Sequence, residues 1–294
     1  MIGQRGTKLR RLARRAVQRL APGSMILLYH RIAEARADPW SLCVRPHHFA
    51  EHLEVLCGRI APLTEICENA SSARTGGRFA LTFDDGYADT LHTALPLLER
   101  HEAPATVFVA TGGVDDGRPF WWDELVALTE AQEPSVQREL QALLGDLDRV
   151  SRQEHLVALR VEAGVEVSAS TPARALNRAE IVRLATGGLV EIGAHTVSHP
   201  KLPALAPAAQ EREIRDSRDF LAAIIGRPIT SFAYPHGRHD ATTRRIVHEA
   251  GFRRACTSHG GTVRRCTDPL RLPRLEVPDC DGDTFARILR RLGF

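Results

Sequence analysis

Two short stretches of the chain bring together residue types that bind metal ions or move protons. Asp84 and Asp85 stand side by side in LTFDDGYADT at 81–90, at the end of an apolar run. His195 and His199 are four residues apart in AHTVSH, a spacing at which two imidazoles on one turn reach a single ion. Two histidines and one carboxylate form a three-ligand set that leaves positions open for water and substrate, as in catalytic metal sites.

Each of these pairs also has a simpler explanation when it is taken alone. Asp-Asp-Gly at 84–86 is a common turn sequence, and two histidines four apart occur by chance or for structural reasons. Successive side chains on a strand diverge, so two adjacent acids do not easily share one task. If both belong to a site, one carboxylate binds the metal while its neighbour acts as a base.

Short apolar runs must position these residues, and most of them are continuous rather than alternating. Such runs are typical of parallel strands that are buried on both faces. The carboxyl ends of parallel strands meet at one rim, which is where α/β active sites lie. The runs are MILLYH (25–30), RFALTF (78–83), ATVFVA (105–110), LVEIGA (189–194), SFAYP (231–235), RACTS (254–258) and LRLPRLEV (270–277).

Helical segments separate the apolar runs. Asn177 with Glu180 three residues later is a capping-box pattern, and Asp240 is placed to cap a helix over ATTRRIVHEA. Strand–helix alternation over this length predicts an α/β fold and favours a barrel over an open sheet. The chain has no GxGxxG after its first strand and no P-loop, which disfavours a nucleotide-binding sheet.

Residues 115–180 interrupt this alternation. DDGRPFWWDEL leads into a long charged helical stretch at roughly 135–163. We interpret 115–180 as a helical insertion in a single domain that covers 21–294, and we expect a solvated, lid-like pair of helices without chemistry of its own.

Composition and charge describe an ordinary soluble protein with a basic beginning. The chain is 43% hydrophobic and 26% charged, and no apolar run is long enough for a transmembrane helix. Residues 1–20 hold seven Lys or Arg and no acid, whereas the remainder has a balance of −4. Six scattered cysteines without a CxxC pair, and no secretion-type apolar core, predict reduced thiols and a cytoplasmic location.

The basic segment 1–20 has an amphipathic helical pattern. Leu9, Leu12, Ala16 and Leu20 fall on one helical face among arginines, so the segment either packs on the barrel, is disordered, or lies on the anionic inner membrane face. No base-reading pattern accompanies it, so we expect no nucleic-acid partner.

Three motifs in this order resemble the polysaccharide deacetylase family. They are TFDDG (82–86), HTVSH (195–199) and FAYPHG (232–237). The family is also called the NodB homology domain or carbohydrate esterase family 4, and the resemblance covers roughly 25–280. It implies a distorted (β/α)7 barrel that removes acetyl groups from N-acetylated sugars with a divalent metal ion, usually Zn²⁺.

The resemblance also implies roles for residues at matching positions. Asp84 would be the catalytic base, and Asp85, His195 and His199 would be the metal ligands. The backbone N–H of His236 would help to hold the oxyanion. The predicted substrate-binding residues are Tyr234, Pro235, His236, Trp122 and Arg274.

The chain departs from the family pattern at two points. Ala233 stands where the third motif often has an arginine that supports the base, and Arg274 in LPRLEV is a candidate substitute. The late Leu-x-His motif that supplies the general acid is absent. A subgroup that resembles biofilm poly-N-acetylglucosamine deacetylases has an early Tyr-His-x-Ile motif instead, and LLYHRI at 27–32 matches it, which assigns His30 as the general acid.

Several alternatives remain open at this level. His30 can instead be a buried structural histidine, with His236, His239 or His259 as the acid. One of Trp121 and Trp122 can stack on a sugar, or both can anchor the insertion in the core. The predicted activity is deacetylation of N-acetylated sugars in an exopolysaccharide or a lipid-linked glycan. The alternatives are an O-deacetylase, a small-molecule N-deacetylase, and a catalytically silent carbohydrate-binding protein.

Overall fold

The apolar runs form the strands of one parallel sheet in a computed structural model of the chain. The structure describes residues 23–35, 37–68, 77–130, 132–147, 149–164 and 173–294. The predicted basic segment 1–20 lies outside these residues.

Seven strands make up the main sheet, and two very short ones make a second. The spatial order in the main sheet is β8-β7-β6-β5-β4-β1-β9, and every neighbouring pair is parallel. The strands are β1 (Met25–Tyr29), β2 (Arg31–Ile32), β3 (Cys43–Val44), β4 (Phe79–Phe83), β5 (Ala105–Val109), β6 (Val190–Ala194), β7 (Ser231–Ala233), β8 (Arg254–Cys256) and β9 (Leu275–Glu276). Among the residues that the structure describes, strands β2 and β3 pair only with each other.

The segment between β8 and β9 closes the sheet into a distorted barrel. Cys256 in β8 forms a parallel bridge with Leu272, and three residues later β9 begins and pairs with β1. One stretch of chain therefore connects the two edges of the sheet. This arrangement confirms the predicted α/β fold, a distorted (β/α)7 barrel.

Helices cover the outside of the barrel. They are α1 (Pro46–Val55), α2 (Leu63–Glu68), α3 (Leu95–Arg100), α4 (Trp121–Leu128), α5 (Pro134–Asp146), α6 (Arg149–Ala163), α7 (Arg178–Thr186), α8 (Pro207–Ile225), α9 (Ala241–Glu249) and α10 (Gly282–Leu292). The two predicted caps are present: Asn177 and Glu180 form a capping box on α7, and Asp240 accepts from Thr243 N on α9. Every residue of β1, β4 and β5 is buried, which explains their continuous apolar sequences.

Helices α4, α5 and α6 form the predicted insertion between β5 and β6. They pack on one another around a small core that contains Leu125, Leu144 and Leu156. An ion pair between Arg160 and the buried Glu124 joins α6 to α4. Among the described helices, none is both long and apolar enough to cross a bilayer.

Candidate active site

The Asp pair and the two histidines meet at the carboxyl ends of β4 and β6, which lie on either side of β5 in the sheet. Asp84 and Asp85 follow β4 directly, and His195 follows β6. The Nε2 atoms of His195 and His199 each lie 3.5 Å from Asp85 Oδ1. One ligand atom from each of these three residues lies within 4.8 Å of the others, so the structure brings the predicted ligand set together.

Strained backbone accompanies these side chains. Six non-glycine residues in the described part of the chain have positive φ, and four of them are here: Asp85 (70°), Thr196 (67°), His199 (55°) and His236 (55°). Such conformations persist only where the surrounding structure holds them in place, and they concentrate at functional sites. Gly86 is required beside them, since its φ is 82° and an added Cβ would lie 3.0 Å from Val109.

A backbone contact fixes the tautomer of His195. Its Nδ1 lies 2.8 Å from the Ala233 carbonyl oxygen, which only accepts, so this nitrogen carries the proton and donates. The lone pair of Nε2 is therefore directed at the Asp85 side of the site. A hydrogen bond from the second ring nitrogen to a carbonyl is the usual support for a metal-binding histidine.

The donor set fits a divalent metal ion. Asp85 Oδ1 is buried and has no hydrogen-bond partner among the described residues. A buried, unpaired carboxylate oxygen is costly, and a bound cation would satisfy it together with the two imidazole nitrogens that face it. One carboxylate with two imidazoles suits zinc and similar ions. Asp85, His195 and His199 are thus the residues that could hold the metal.

Asp84 is clamped by a fully buried arginine. Arg274, with 1% of its surface exposed, donates from Nη1 to Asp84 Oδ1 at 2.7 Å and from Nη2 to Oδ2 at 2.6 Å. Its Nε donates to the Thr257 carbonyl at 2.8 Å, which fixes the guanidinium plane. Burial alone would raise the pKa of Asp84, but the charge and hydrogen bonds of Arg274, aided by His195, lower it below its ordinary value.

His30 follows β1 and lines the same cavity as the Asp pair. The cavity has a volume of about 240 Å³, and His195, His199 and His236 also line it. His239 and His259, the other acids considered, are not among its lining residues. His30 and His236 are therefore the two histidines outside the proposed ligand set that face this space.

Three side chains predicted to bind substrate are buried instead. The Tyr234 ring is fully buried, and its hydroxyl donates to the Leu270 carbonyl at 3.0 Å. Pro235 is buried beside it, and Arg274 is committed to Asp84. These contacts leave the three side chains little free surface for a substrate. Of the YPHG turn, His236 is the exposed member that reaches the cavity.

Trp122 is both an anchor of the insertion and a wall of the cavity. Only 5% of its surface is exposed, its Nε1 donates to Tyr87 Oη at 2.6 Å, and its ring stacks on Phe120 at 4.8 Å. The ring also lies 4.9 Å from that of His199. Trp122 therefore backs a proposed ligand and offers little free surface to a sugar.

Sequence reasoning missed several residues that line the cavity, among them Trp40, Gln141 and Glu276. All three tryptophans of the chain lie here, with Trp40 Nε1 donating to the Trp122 carbonyl at 3.4 Å. The scarcity of tryptophan was a usable signal for Trp40. No sequence pattern marked Gln141 on α5 or Glu276 on β9.

A comparison with known families identifies the chain. The sequence profile described as "Polysaccharide deacetylase" matches residues 72–255, well over half of the chain. This chain belongs to the polysaccharide deacetylase family. The deacetylase is also 21% identical to YxkH of Bacillus subtilis (strain 168), whose name places it provisionally in the same family, over 91% of this chain and 76% of that protein.

Solved structures of deacetylases share the fold. The structure of Streptococcus pyogenes deacetylase PplD, in complex with acetate, matches with a TM-score of 0.63 and 21% identity over 90% of this chain and 97% of that one. IcaB from Ammonifex degensii matches with a TM-score of 0.64 and 20% identity over 90% and 96% of the two chains. The BpsB deacetylase domain of Bordetella bronchiseptica gives 0.60 and 19% over 89% and 97%.

Proposed function

We propose that this deacetylase hydrolyses the acetamide group of N-acetylated sugars in a polysaccharide or a lipid-linked glycan. One observation carries the proposal: an ionised carboxylate, clamped by Arg274, lies beside the three-residue set Asp85, His195 and His199. The fold that it shares with the deacetylase PplD and with the BpsB deacetylase domain supports the same reaction class.

Asp85, His195 and His199 would hold a divalent metal ion, with zinc the first candidate. Such an ion supplies Lewis-acid polarisation of a carbonyl and makes a water molecule more acidic. The protonated Nδ1 of His195 and the buried Asp85 oxygen keep the ligand atoms aimed at one point.

Asp84 is proposed as the general base. The paired guanidinium keeps its carboxylate ionised and fixes its orientation, with Oδ2 at 3.9 Å from His195 Nε2. A carboxylate with a lowered pKa is a modest base, but it is available over the whole neutral range. The absence of the family's arginine at Ala233 had kept a catalytically silent protein as an alternative. Arg274 provides that support for Asp84 from the residue just before β9.

His30 is proposed as the general acid. An amine leaves poorly from a tetrahedral intermediate unless it is protonated, so an acid must reach the nitrogen. His30 lines the cavity that holds Asp84 and Asp85 and is only partly buried, so a substrate in that cavity can meet it. The backbone N–H of His236, at the same cavity, is proposed as an oxyanion donor.

Acetate release from defined N-acetylated oligosaccharides tests this function. We expect release by the wild-type deacetylase, its loss with a chelator, and its return with added zinc. The matched O-acetylated sugars, assayed in parallel, decide between N- and O-deacetylation. Zinc-loaded protein that releases no acetate from any N-acetylated sugar would refute the proposal.

Peripheral contact of residues 1–20 with an anionic membrane is a separate part of the proposal, and it places the enzyme at the cytoplasmic face. Its support is the basic amphipathic pattern alone. Flotation with anionic vesicles should carry the full chain upward and leave a variant without residues 1–20 behind. Equal flotation of the two proteins would end this idea.

A further inference from the structure

A carboxylate from a neighbouring helix holds the turn between the two histidines. Glu213 on α8 accepts hydrogen bonds at Oε2 from the Val197 and Ser198 amides, at 2.9 and 2.8 Å. Its Oε1 accepts from Ser198 Oγ at 2.6 Å. Both oxygens of one half-buried side chain are thus engaged with the two residues that lie midway between His195 and His199.

The opposite side of the turn is held by the loop after β5. The Thr111 amide donates to the Thr196 carbonyl at 3.1 Å, and the Gly112 amide donates to the Val197 carbonyl at 2.8 Å. The fit is close, since a Cβ at Gly112 would lie 2.6 Å from the Val197 oxygen. The turn is therefore gripped between this loop and Glu213.

The backbone amides of residues 197–199 in this turn all have hydrogen-bond partners. The Val197 and Ser198 amides go to Glu213, and the His199 amide goes to Thr196 Oγ1 at 3.1 Å. Two residues of the turn, Thr196 and His199, have positive φ. Backbone of this kind relaxes when its supports are removed, and the His199 imidazole would move with it.

We propose that Glu213 is a positioning residue that sets the metal affinity of the site through the 195–199 turn. The inference rests on the proposed metal-dependent function and adds a residue that touches neither metal nor substrate. Glu213 acts on His199 by fixing the amides that precede it. Partners outside the ligand set that orient metal ligands typically change metal affinity by about 10–100-fold when they are removed.

Two substitutions at this position separate hydrogen bonding from general damage. Glu213→Ala removes the acceptors for both amides and for Ser198 Oγ. Glu213→Gln keeps one carbonyl oxygen for the two amides and places an amino group opposite Ser198 Oγ, which can accept. Glu211→Ala is the matched control, since Glu211 is on the same helix, is exposed, and pairs only along the helix with Arg215 among its described contacts.

The experiment measures zinc and cobalt dissociation constants of metal-stripped protein by competition with a chromophoric chelator. Circular dichroism and thermal unfolding of the stripped proteins verify the fold. We expect Glu213→Ala to weaken binding by about 10–100-fold and to alter the visible spectrum of bound cobalt. We expect Glu213→Gln and Glu211→Ala to stay within about threefold of wild type, as their turn supports remain.

Different outcomes overturn different claims. If the wild-type protein binds zinc and a folded Glu213→Ala variant binds it equally well, the positioning role of Glu213 is overturned and the metal site stands. A folded Glu213→Gln variant as weak as Glu213→Ala would overturn the role of the hydrogen bonds. Wild-type protein that binds neither zinc nor cobalt would refute the metal site of the proposed function, and this inference with it.

Discussion

Arg274 and Asp84, 190 residues apart in the chain, form two parallel hydrogen bonds of 2.7 and 2.6 Å inside the barrel. Arg274 immediately precedes β9, and Asp84 immediately follows β4. Strand β1 lies between these two strands in the sheet. The pair links the closure of the barrel to the ionisation state of the proposed base.

Replacing Arg274 with methionine should therefore change both stability and pH dependence. Because the pKa of Asp84 is lowered in the folded protein, its ionised carboxylate stabilises the wild-type fold at pH values above the ordinary pKa of 3.8. This stabilisation is lost as the pH falls through the lowered pKa. In Arg274→Met the effect of burial, which raises the pKa of Asp84, is opposed only by His195 and His30. We expect that pKa to rise above 3.8, so the variant loses stability as the pH rises past 3.8. We expect a deficit of about 3–5 kcal/mol at neutral pH and a smaller one near pH 4.

Denaturant unfolding at both pH values and the pH profile of kcat/KM check this prediction. The acid limb of the profile should move to higher pH in Arg274→Met. Arg244→Met serves as the control, because Arg244 pairs with Asp268 at a half-exposed surface site where the loss is at most about 1 kcal/mol. An acid limb that stays in place would show that Arg274 does not govern the base.

Substitutions of the adjacent residues Asp84 and Asp85 should impair different properties of the enzyme. Asp84→Asn keeps the shape of the side chain but removes the proton acceptor, so turnover should fall by about 10²–10⁴-fold while zinc affinity stays near wild type. Asp85→Asn should instead weaken zinc binding, because Asp85 supplies the buried oxygen that faces both imidazoles. Parallel measurements of kcat and of zinc affinity distinguish the two. Near-normal turnover in Asp84→Asn would reject its assignment as base.

His30 should matter only when the leaving group needs a proton. In His30→Ala, cleavage of a sugar acetamide should fall by about 10²-fold or more. Cleavage of an activated aryl acetate, whose leaving group departs as an anion, should fall much less. His259→Ala is the control, since His259 does not line the cavity. Equal losses on the two substrates would count against an acid role for His30.

Trp40 should contribute to sugar binding because it is only half-buried at the cavity, whereas Trp122 is almost fully covered. Removal of the apolar contact in Trp40→Ala should weaken oligosaccharide binding by about 5–30-fold, or roughly 1–2 kcal/mol. Trp122→Phe should mainly lower the melting temperature, since it removes the hydrogen bond to Tyr87.

Intrinsic fluorescence reports on this binding directly. All three tryptophans of the chain line the cavity, so a bound oligosaccharide should change the emission. Titration of metal-stripped wild type and Trp40→Ala separates sugar binding from turnover. Unchanged affinity in Trp40→Ala would exclude it as a sugar contact.

Local signals in the sequence predicted the fold well. Continuous apolar runs marked the buried strands, and the caps at Asn177 and Asp240 depend on residues only three positions away. The two-residue strands β2 and β3 are too short to leave a pattern. Of the run LRLPRLEV only Leu275 and Glu276 became a strand, because Pro273 interrupts the run before them.

The candidate site was predictable where several side chains follow strand ends and less so elsewhere. Asp85 follows β4, and His195 and His199 follow β6; these two strands flank β5, so their carboxyl ends lie at the same rim of the parallel sheet. Tyr234 is buried because its ring packs against Phe232 and its hydroxyl donates to the Leu270 carbonyl, and the latter contact depends on the tertiary fold rather than on a local pattern. The contact between Glu213 and the 195–199 turn depends on how α8 crosses the sheet, which has no local signature.

The insertion formed by α4, α5 and α6 supplies Trp121, Trp122 and Gln141 to the cavity, yet it leaves and rejoins the barrel between two strands that pair directly with each other. The groups proposed to carry out the reaction come from other parts of the chain. Evolution can therefore exchange this excursion for one of another length or composition and retune which glycan is accepted, while the reaction itself is inherited unchanged. For protein engineers, it is the natural segment to diversify first.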